Sequence, residues 1–313
     1  MRAATIRDGE VLVEEHPDPE PGAGQVLVRV RAAGVNGADM LQRRGRYPAP
    51  AGSPQDIPGL ELAGEVEALG DGAARFSVGD RVMGIVGGGG QAELAVVHER
   101  QLMPVPDAVA FPDAGGLPEV FTTAHDALFT SAGLRPGERL LVHGAAGGVG
   151  TAAVQLAHRL GAHVTATVRN PDARDAVSQL GADAVIEPEG FEAHGPFDVI
   201  LELVGAPNLA ANVKALAPEG RIVVIGIGAG AKAELNLAAL MAKRGRIMAS
   251  TLRARPLEQK AATARAMERE VLPWFAREEL RVPVATTFAL DDVAAAYDHF
   301  AAGGKLGKII LEP

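Results

Sequence analysis

The chain has 313 residues, 47% hydrophobic and 22% charged, with a formal net charge of -9 and no cysteine. It is longer than one hydrophobic core usually serves, so two domains are expected, and disulfides and thiolate metal sites are excluded. The acidic balance argues against non-specific binding to nucleic acid, and no segment reads as a signal peptide or membrane span, so a soluble cytoplasmic protein is expected.

Residues 1–118 carry short alternating segments punctuated by Gly, Pro and Asp, among them Val26–Arg31, Glu65–Ala68 and Arg81–Val86. This pattern predicts an antiparallel, barrel-type β domain. Residues 119–258 alternate strands and helices, with strands at Leu140–Val142, His163–Val168, Ala184–Ile186, Val199–Leu201, Ile222–Ile225 and Ile247–Ala249. Six strands at this spacing predict a doubly wound parallel sheet. Residues 259–313 complete an amphipathic helix near Leu257–Phe275 and end in a strand at Lys308–Leu311, which is expected to return to the first domain. The fold class is therefore α/β with a second, β-rich domain, and the active site is expected in the cleft between the two.

The sharpest motif is Ala145-Ala146-Gly147-Gly148-Val149-Gly150, an apolar strand running through a glycine turn into a helix. Gly147 and Gly150 take the second and third places of a dinucleotide fingerprint, with Ala145 at the first. Downstream, Val149, Ala153, Leu156 and Leu160 keep helical spacing until Gly161. The free amides at the helix N-terminus, including those around Ala146, Gly148 and Val149, suit a pyrophosphate. At the end of the next strand, where an acidic residue would hold the ribose hydroxyls of NAD, the chain has Arg169-Asn170. A guanidinium binds a 2′-phosphate that a carboxylate would repel, so NADPH is the expected cofactor, with Arg169 as its main contact and Asn170 and Arg174 as helpers.

Four segments occur in the order and spacing of one family: Ala33-Gly34-Val35-Asn36-Gly37-Ala38-Asp39, Gly59-Leu60-Glu61-Leu62-Ala63-Gly64, Gly79-Asp80-Arg81-Val82 and Ala146–Gly150. On these the whole chain resembles the medium-chain dehydrogenase/reductase superfamily. Gln42–Tyr47, Pro118–Ala124 and Ser250–Arg255 make it similar to the zinc-independent quinone oxidoreductase branch. The resemblance implies a GroES-like domain followed by a Rossmann domain and NADPH-dependent reduction of quinones or conjugated carbonyls; a homodimer is expected from the last strand of the cofactor domain, Arg246–Ser250, whose apolar sheet edge invites pairing with its twofold mate. Zinc-dependent members carry Cys at or near Asn36 and His at Leu60, and neither is here; His98, His125 and His143 lack paired spacing, so no metal is expected. A lysine common near the 2′-phosphate aligns with Ala173, which leaves Arg169 the larger share of NADPH selectivity.

The resemblance places Asn36 and Tyr47 at the reacting centre, Tyr47 as a donor to the acceptor oxygen and Asn36 on the acceptor or nicotinamide ribose. It places Thr123 near the cofactor. Gly205, Gly226 and Gly228 follow strands at the edge where nucleotides bind. Asp39 is expected to orient its neighbours, Tyr297 to pack within a helix, and Gly87–Gly90 to form a turn or strand connection. Two alternatives stand beside the quinone or enone reductase: an enal or enoyl double-bond reductase, and a non-catalytic nucleotide-binding structural or RNA-binding protein.

Overall fold

The computed structural model describes residues 1–313. They divide into two compact units, one of residues 1–122, 252–304 and 308–313, the other of residues 123–251 and 305–307.

The first unit begins with an antiparallel hairpin, β1 (Arg2–Arg7) and β2 (Glu10–Glu15). Its main sheet is built on the long strand β3 (Gln25–Val35), which pairs with β4 (Glu61–Leu69) and with β6 (Leu94–His98). Then β4 pairs with β5 (Arg81–Ile85), and β5 with β7 (Leu102–Pro104), all antiparallel. The alternation of β3 explains its two faces: Val26, Val28 and Val30 are buried with Leu62, Val66, Val82 and Val97, while Arg29 and Arg31 point to solvent and pair with Glu67 and Glu65. This is the antiparallel β domain expected of residues 1–118. The C-terminal strands join the same unit, β14 (Val284–Ala289) and β15 (Lys308–Glu312) being parallel to each other, with β15 antiparallel to the end of β3. The helix expected near Leu257–Phe275 is two helices, Leu257–Glu270 and Leu272–Ala276, because Pro273 cannot donate to the ladder of a continuous helix.

The second unit holds a six-stranded, all-parallel Rossmann sheet. In chain order its strands are β8 (Arg139–Val142), β9 (His163–Thr167), β10 (Ala184–Ile186), β11 (Phe197–Glu202), β12 (Leu216–Val224) and β13 (Arg246–Ala249). Their spatial order is β10-β9-β8-β11-β12-β13. The order reverses between β8 and β11, and in such sheets a ligand crevice forms outside the carboxyl ends of the strands at that reversal. The central strands are apolar on both faces, with Leu140, Leu141, Val199, Ile200 and Leu201 fully buried, as helices on both sides require. At one edge β13 is only partly covered.

Candidate functional site

In the second unit, the helix Gly148–Leu160 starts directly after the turn that follows β8, with Gly147 at its N-cap. No acidic side chain sits in its first turn, so nothing in the helix offsets the positive end of its dipole. Gly150 is required by packing: a Cβ there would lie 2.6 Å from Ala145 Cα and 2.6 Å from the Gly144 carbonyl. Gly147 has far more room, its nearest neighbour being the Gly144 carbonyl at 3.4 Å. Ala146, Gly147, Gly148 and Val149 are partly open. The turn is held from a distance in sequence, because the Gly307 amide donates to the Ala146 carbonyl at 2.8 Å and Gly307 bridges to Gly147.

The loops after β9, β11 and β12 leave the same carboxyl edge of the sheet. Arg169 follows β9, is exposed, and forms no hydrogen bond or ion pair within the protein. Its neighbours are less free to move. Asn170 accepts from the Asp172 amide at 3.1 Å, and the Arg174 guanidinium is drawn to Glu187 at 3.1 Å and to the Val168 carbonyl at 3.3 Å. After β11, Gly205 takes φ +124, a conformation suited to glycine, and a Cβ there would lie 2.6 Å from the Gly230 carbonyl. Gly226 passes so close to Leu203 that a Cβ would lie 2.1 Å from its carbonyl oxygen, whereas Gly228 is exposed with open space around it. Thr123 is buried within the helix Pro118–His125.

One buried network under these loops escaped sequence reasoning. The Glu202 carboxylate, at the end of β11, accepts from the amides of Val204 and Gly205 at 2.7 and 2.8 Å and from the Asn208 and Asn212 side chains. Asn212 in turn binds His143 Nε2 at 2.8 Å. Burial lowers the His143 pKa below its ordinary value, against the opposing pull of Glu202. The network thus folds the loop carrying Gly205. A carboxylate closing an apolar strand, Val199-Ile200-Leu201-Glu202, was the available signal.

In the first unit, Asn36 ends β3 and caps the short helix Gly37–Gln42. Its side chain is fully engaged: Nδ2 donates to Glu61 Oε1 at 2.9 Å and to the Gly34 carbonyl at 3.2 Å, and Oδ1 accepts from Lys308 Nζ at 2.6 Å. Lys308 completes its three bonds at Glu61 Oε1, 2.6 Å away, and at the Val35 carbonyl. Gly34 leaves the space for this cluster, since a Cβ there would lie 2.2 Å from Glu61 Oε1. Asp39 is fully buried and orients its surroundings, accepting from the amides of Asn36 and Gly59 and from Gln91 Nε2. Burial raises its carboxyl to about 6, against those stabilising amides. Tyr297 is buried and donates to Gln91 Oε1 at 2.8 Å, so it both packs and holds the Gln91 side chain that donates to Asp39.

Tyr47 is half-buried, and its hydroxyl has no hydrogen-bond partner within the protein. Its placement depends on Arg253, which sequence reasoning assigned no role. The buried guanidinium donates to the carbonyls of Tyr47 at 2.9 Å and Gly87 at 2.7 Å and to Gln42 Oε1 at 2.6 Å. Gly87–Gly90 is accordingly a close-packed connection: Cβ atoms at Gly87 and Gly90 would lie 2.1 Å from Ser53 Oγ and 2.6 Å from the Glu61 carbonyl. Burial raises the Tyr47 phenol above its ordinary pKa, with Glu119 adding to the shift and Arg253 opposing it.

Comparison with known proteins agrees with both halves. Residues 22–107 match the family described as the alcohol dehydrogenase GroES-like domain, and residues 148–273 the family described as zinc-binding dehydrogenase. Human quinone oxidoreductase is 32% identical over 305 residues, covering 94% of this chain and 90% of that protein. The polyketide synthase protein NorB of Streptomyces orinoci, of the spectinabilin system, is 37% identical over 309 residues, which are 94% of this chain but 14% of that protein. The solved quinone oxidoreductase of Pseudomonas syringae pv. Tomato DC3000 is 30% identical with a TM-score of 0.86, covering 100% of this chain and 99% of that one. The metal in the second family's description does not fit this chain, in which no three His, Cys, Asp or Glu side chains are grouped to hold an ion. A nicotinamide cofactor is expected for these relatives, and the open glycine turn at an uncompensated helix N-terminus fits its pyrophosphate. Glycine turn, parallel sheet and GroES-like unit together make the chain a member of the medium-chain dehydrogenase/reductase superfamily, an oxidoreductase of the quinone oxidoreductase type.

Proposed function

We propose that this protein is an NADPH-dependent reductase of quinones or related conjugated carbonyls that operates without zinc. The observation that carries the reading is chemical. The segments where a metal would be held, around Asn36 and Leu60, are occupied by an Asn36–Glu61–Lys308 cluster whose groups satisfy one another. A simple ketone needs a Lewis acid to accept hydride, whereas a quinone or enone already spreads the incoming charge onto oxygen, and a hydrogen bond suffices. The half-buried Tyr47 hydroxyl, unpartnered and held by Arg253, is the group we assign to that oxygen.

When bound, the nicotinamide supplies the hydride. The chain's own residues then have separate tasks. The amides around Ala146–Gly150 receive the pyrophosphate, Arg169 takes the 2′-phosphate with Asn170 and Arg174 at its flank, and Gly205, Gly226 and Gly228 let the backbone approach the nicotinamide. Thr123 is assigned to the cofactor and Asn36 to the acceptor or ribose. We further propose a homodimer joined through the edge strand β13, flanked by the exposed Leu237 and Met241.

The reading is tested by following NADPH and NADH oxidation with a panel of quinones, enones and enals, before and after exhaustive chelation. Turnover with quinones or enones that prefers NADPH and survives chelation is expected. Loss on chelation that zinc restores overturns the metal-free mechanism, and activity confined to enals or enoyl thioesters favours the double-bond reductase. The similarity to a stretch of a polyketide synthase protein keeps that second reading in the panel.

A further inference from the structure

The partly buried acidic side chain of Glu119, in the first unit, is left without a hydrogen bond by the network around it. Glu119 lies in the first turn of the helix Pro118–His125, and its backbone amide donates to Glu61 Oε2 at 2.8 Å. That bond sets the Glu119 backbone against one oxygen of the Glu61 carboxylate, whose other oxygen meets Lys308 Nζ. Only Glu61 has a cation: Lys308 Nζ spends its three protons on Glu61, Asn36 and the Val35 carbonyl. The other nearby cation, Arg253, is directed at Tyr47, Gly87 and Gln42. Asp39, the third carboxyl in range, is held by Asn36, Gly59 and Gln91. The Glu119 carboxyl accepts no hydrogen bond within the protein, and it retains some open surface. Two carboxyls beside a single committed ammonium cannot both carry charge cheaply, so the unpaired one keeps its proton.

The phenol of Tyr47 lies within the field of Glu119. Tyr47 and Glu119 are thus two partly open hydrogen-bonding groups left without partners, while the unpaired Thr122 hydroxyl on the same helix is buried. Resting on the reductase reading above, we propose that Glu119 is the acid that supplies the proton consumed in each turnover, delivered to the acceptor oxygen beside Tyr47. As hydride adds to the conjugated acceptor, an electron pair moves onto its oxygen. The Glu119 O–H bond breaks and an O–H bond forms at the acceptor, giving the enol of an enone or, from a quinone, the keto tautomer that isomerises to the hydroquinone, and the Glu119 carboxylate regains a proton from solvent. Hydride plus one proton balances the two-electron reduction.

The surroundings set the acid to the task. Burial is the largest influence, joined by repulsion from Glu61 and Asp39 and opposed by Lys308 and Arg253, and the Glu119 carboxyl is pushed up to about 8. It is therefore in the donor form at neutral pH and loses that form as pH rises through this value. An acid whose pKa lies near the operating pH is the efficient one for general-acid catalysis.

The test is the pH profile of kcat with an enone and with a quinone in wild type, Glu119→Gln and Glu119→Asp. Wild type should lose activity above about pH 8, and Glu119→Gln should lower turnover with the enone by about a hundredfold and abolish the alkaline limb. Glu119→Asp should restore part of the rate together with a pH limb. NADPH affinity should remain within about twofold, since Glu119 is assigned to the acceptor. A Glu119→Gln enzyme with wild-type turnover and an unchanged limb overturns the proton-donor assignment while leaving the reductase reading in place. A wild-type protein that reduces none of the acceptors overturns the reductase reading itself, and with it this assignment.

Discussion

The guanidinium of Arg253 lies 5.2 Å from the centre of the Tyr47 ring and at the same time donates a 2.9 Å hydrogen bond to the Tyr47 carbonyl. One side chain therefore fixes both the ring face and the backbone of the residue assigned to the acceptor. Its remaining bonds tie that residue to the Gly87 connection and to Gln42. Lysine preserves the charge but lacks the planar fork that reaches three acceptors. Arg253→Lys should raise the acceptor KM by about tenfold with little change in NADPH affinity, the scale of one or two lost hydrogen bonds to a charged donor. Steady-state kinetics beside a cofactor titration check this, and a parallel loss of both affinities would mark a general folding defect instead.

Tyr47→Phe removes only the hydroxyl. Turnover with enones should fall by roughly tenfold to a hundredfold, as for a hydrogen bond made mainly in the transition state. Strongly electrophilic quinones should lose less, because their developing charge is delocalised over the ring. Equal losses across acceptors, accompanied by weaker NADPH binding, would return Tyr47 to a packing role.

Arg169 is exposed and unpaired at the end of β9, so its substitution disturbs no internal contact. Arg169→Glu should remove most of the preference for NADPH over NADH by placing a repelling charge against the 2′-phosphate. Dissociation constants for both cofactors in both proteins decide the point. An unchanged ratio would take Arg169 out of the site.

Buried Asp39 and partly buried Glu119 make stability depend on pH. Asp39 is raised to about 6 and Glu119 to about 8, against ordinary values of 3.8 and 4.5. Between ordinary and raised values the folded chain binds more protons than the unfolded chain, so stability is greatest below the ordinary values and declines as pH rises through the raised ones. The urea midpoint should fall between about pH 6 and about pH 8.5, and Glu119→Gln should flatten that decline. Identical slopes in the two proteins would contradict the assignment of a neutral Glu119.

The Rossmann half was legible because its signals are local. A glycine turn between an apolar strand and a periodic helix needs no distant partner to be recognised, and each strand of the parallel sheet is an apolar run bounded by turn residues. The GroES-like half was legible as alternation in β3 and its neighbours. What stayed hidden depends on partners far apart in the chain: Arg253 meets Tyr47 across 206 residues, and Lys308 meets Glu61 across 247. The traces they left were charges inside apolar strands, Glu61 between Leu60 and Leu62, and Lys308 ahead of Ile309-Ile310-Leu311. Such charges announce a buried partner without naming it, since spacing carries no information about which distant element supplies the opposite sign. Glu119 stands out in the sequence only within the Pro118–Ala124 resemblance, because an acidic residue in the first turn of a helix is also an ordinary choice for the helix itself.

The pairing of β15 with β3 sets an order on synthesis. A growing chain exposes Glu61 early, yet the lysine that neutralises it, and the strand that covers it, arrive only with residues 308–312. Until then the first unit holds a carboxylate it cannot bury without cost, so it cannot settle into its final packing before residues 308–312 emerge. The parallel sheet has no such debt to the C-terminus beyond the Gly307 bridge, and all six of its strands are translated by residue 249. The Rossmann half should therefore resist protease on stalled nascent chains before the GroES-like half does.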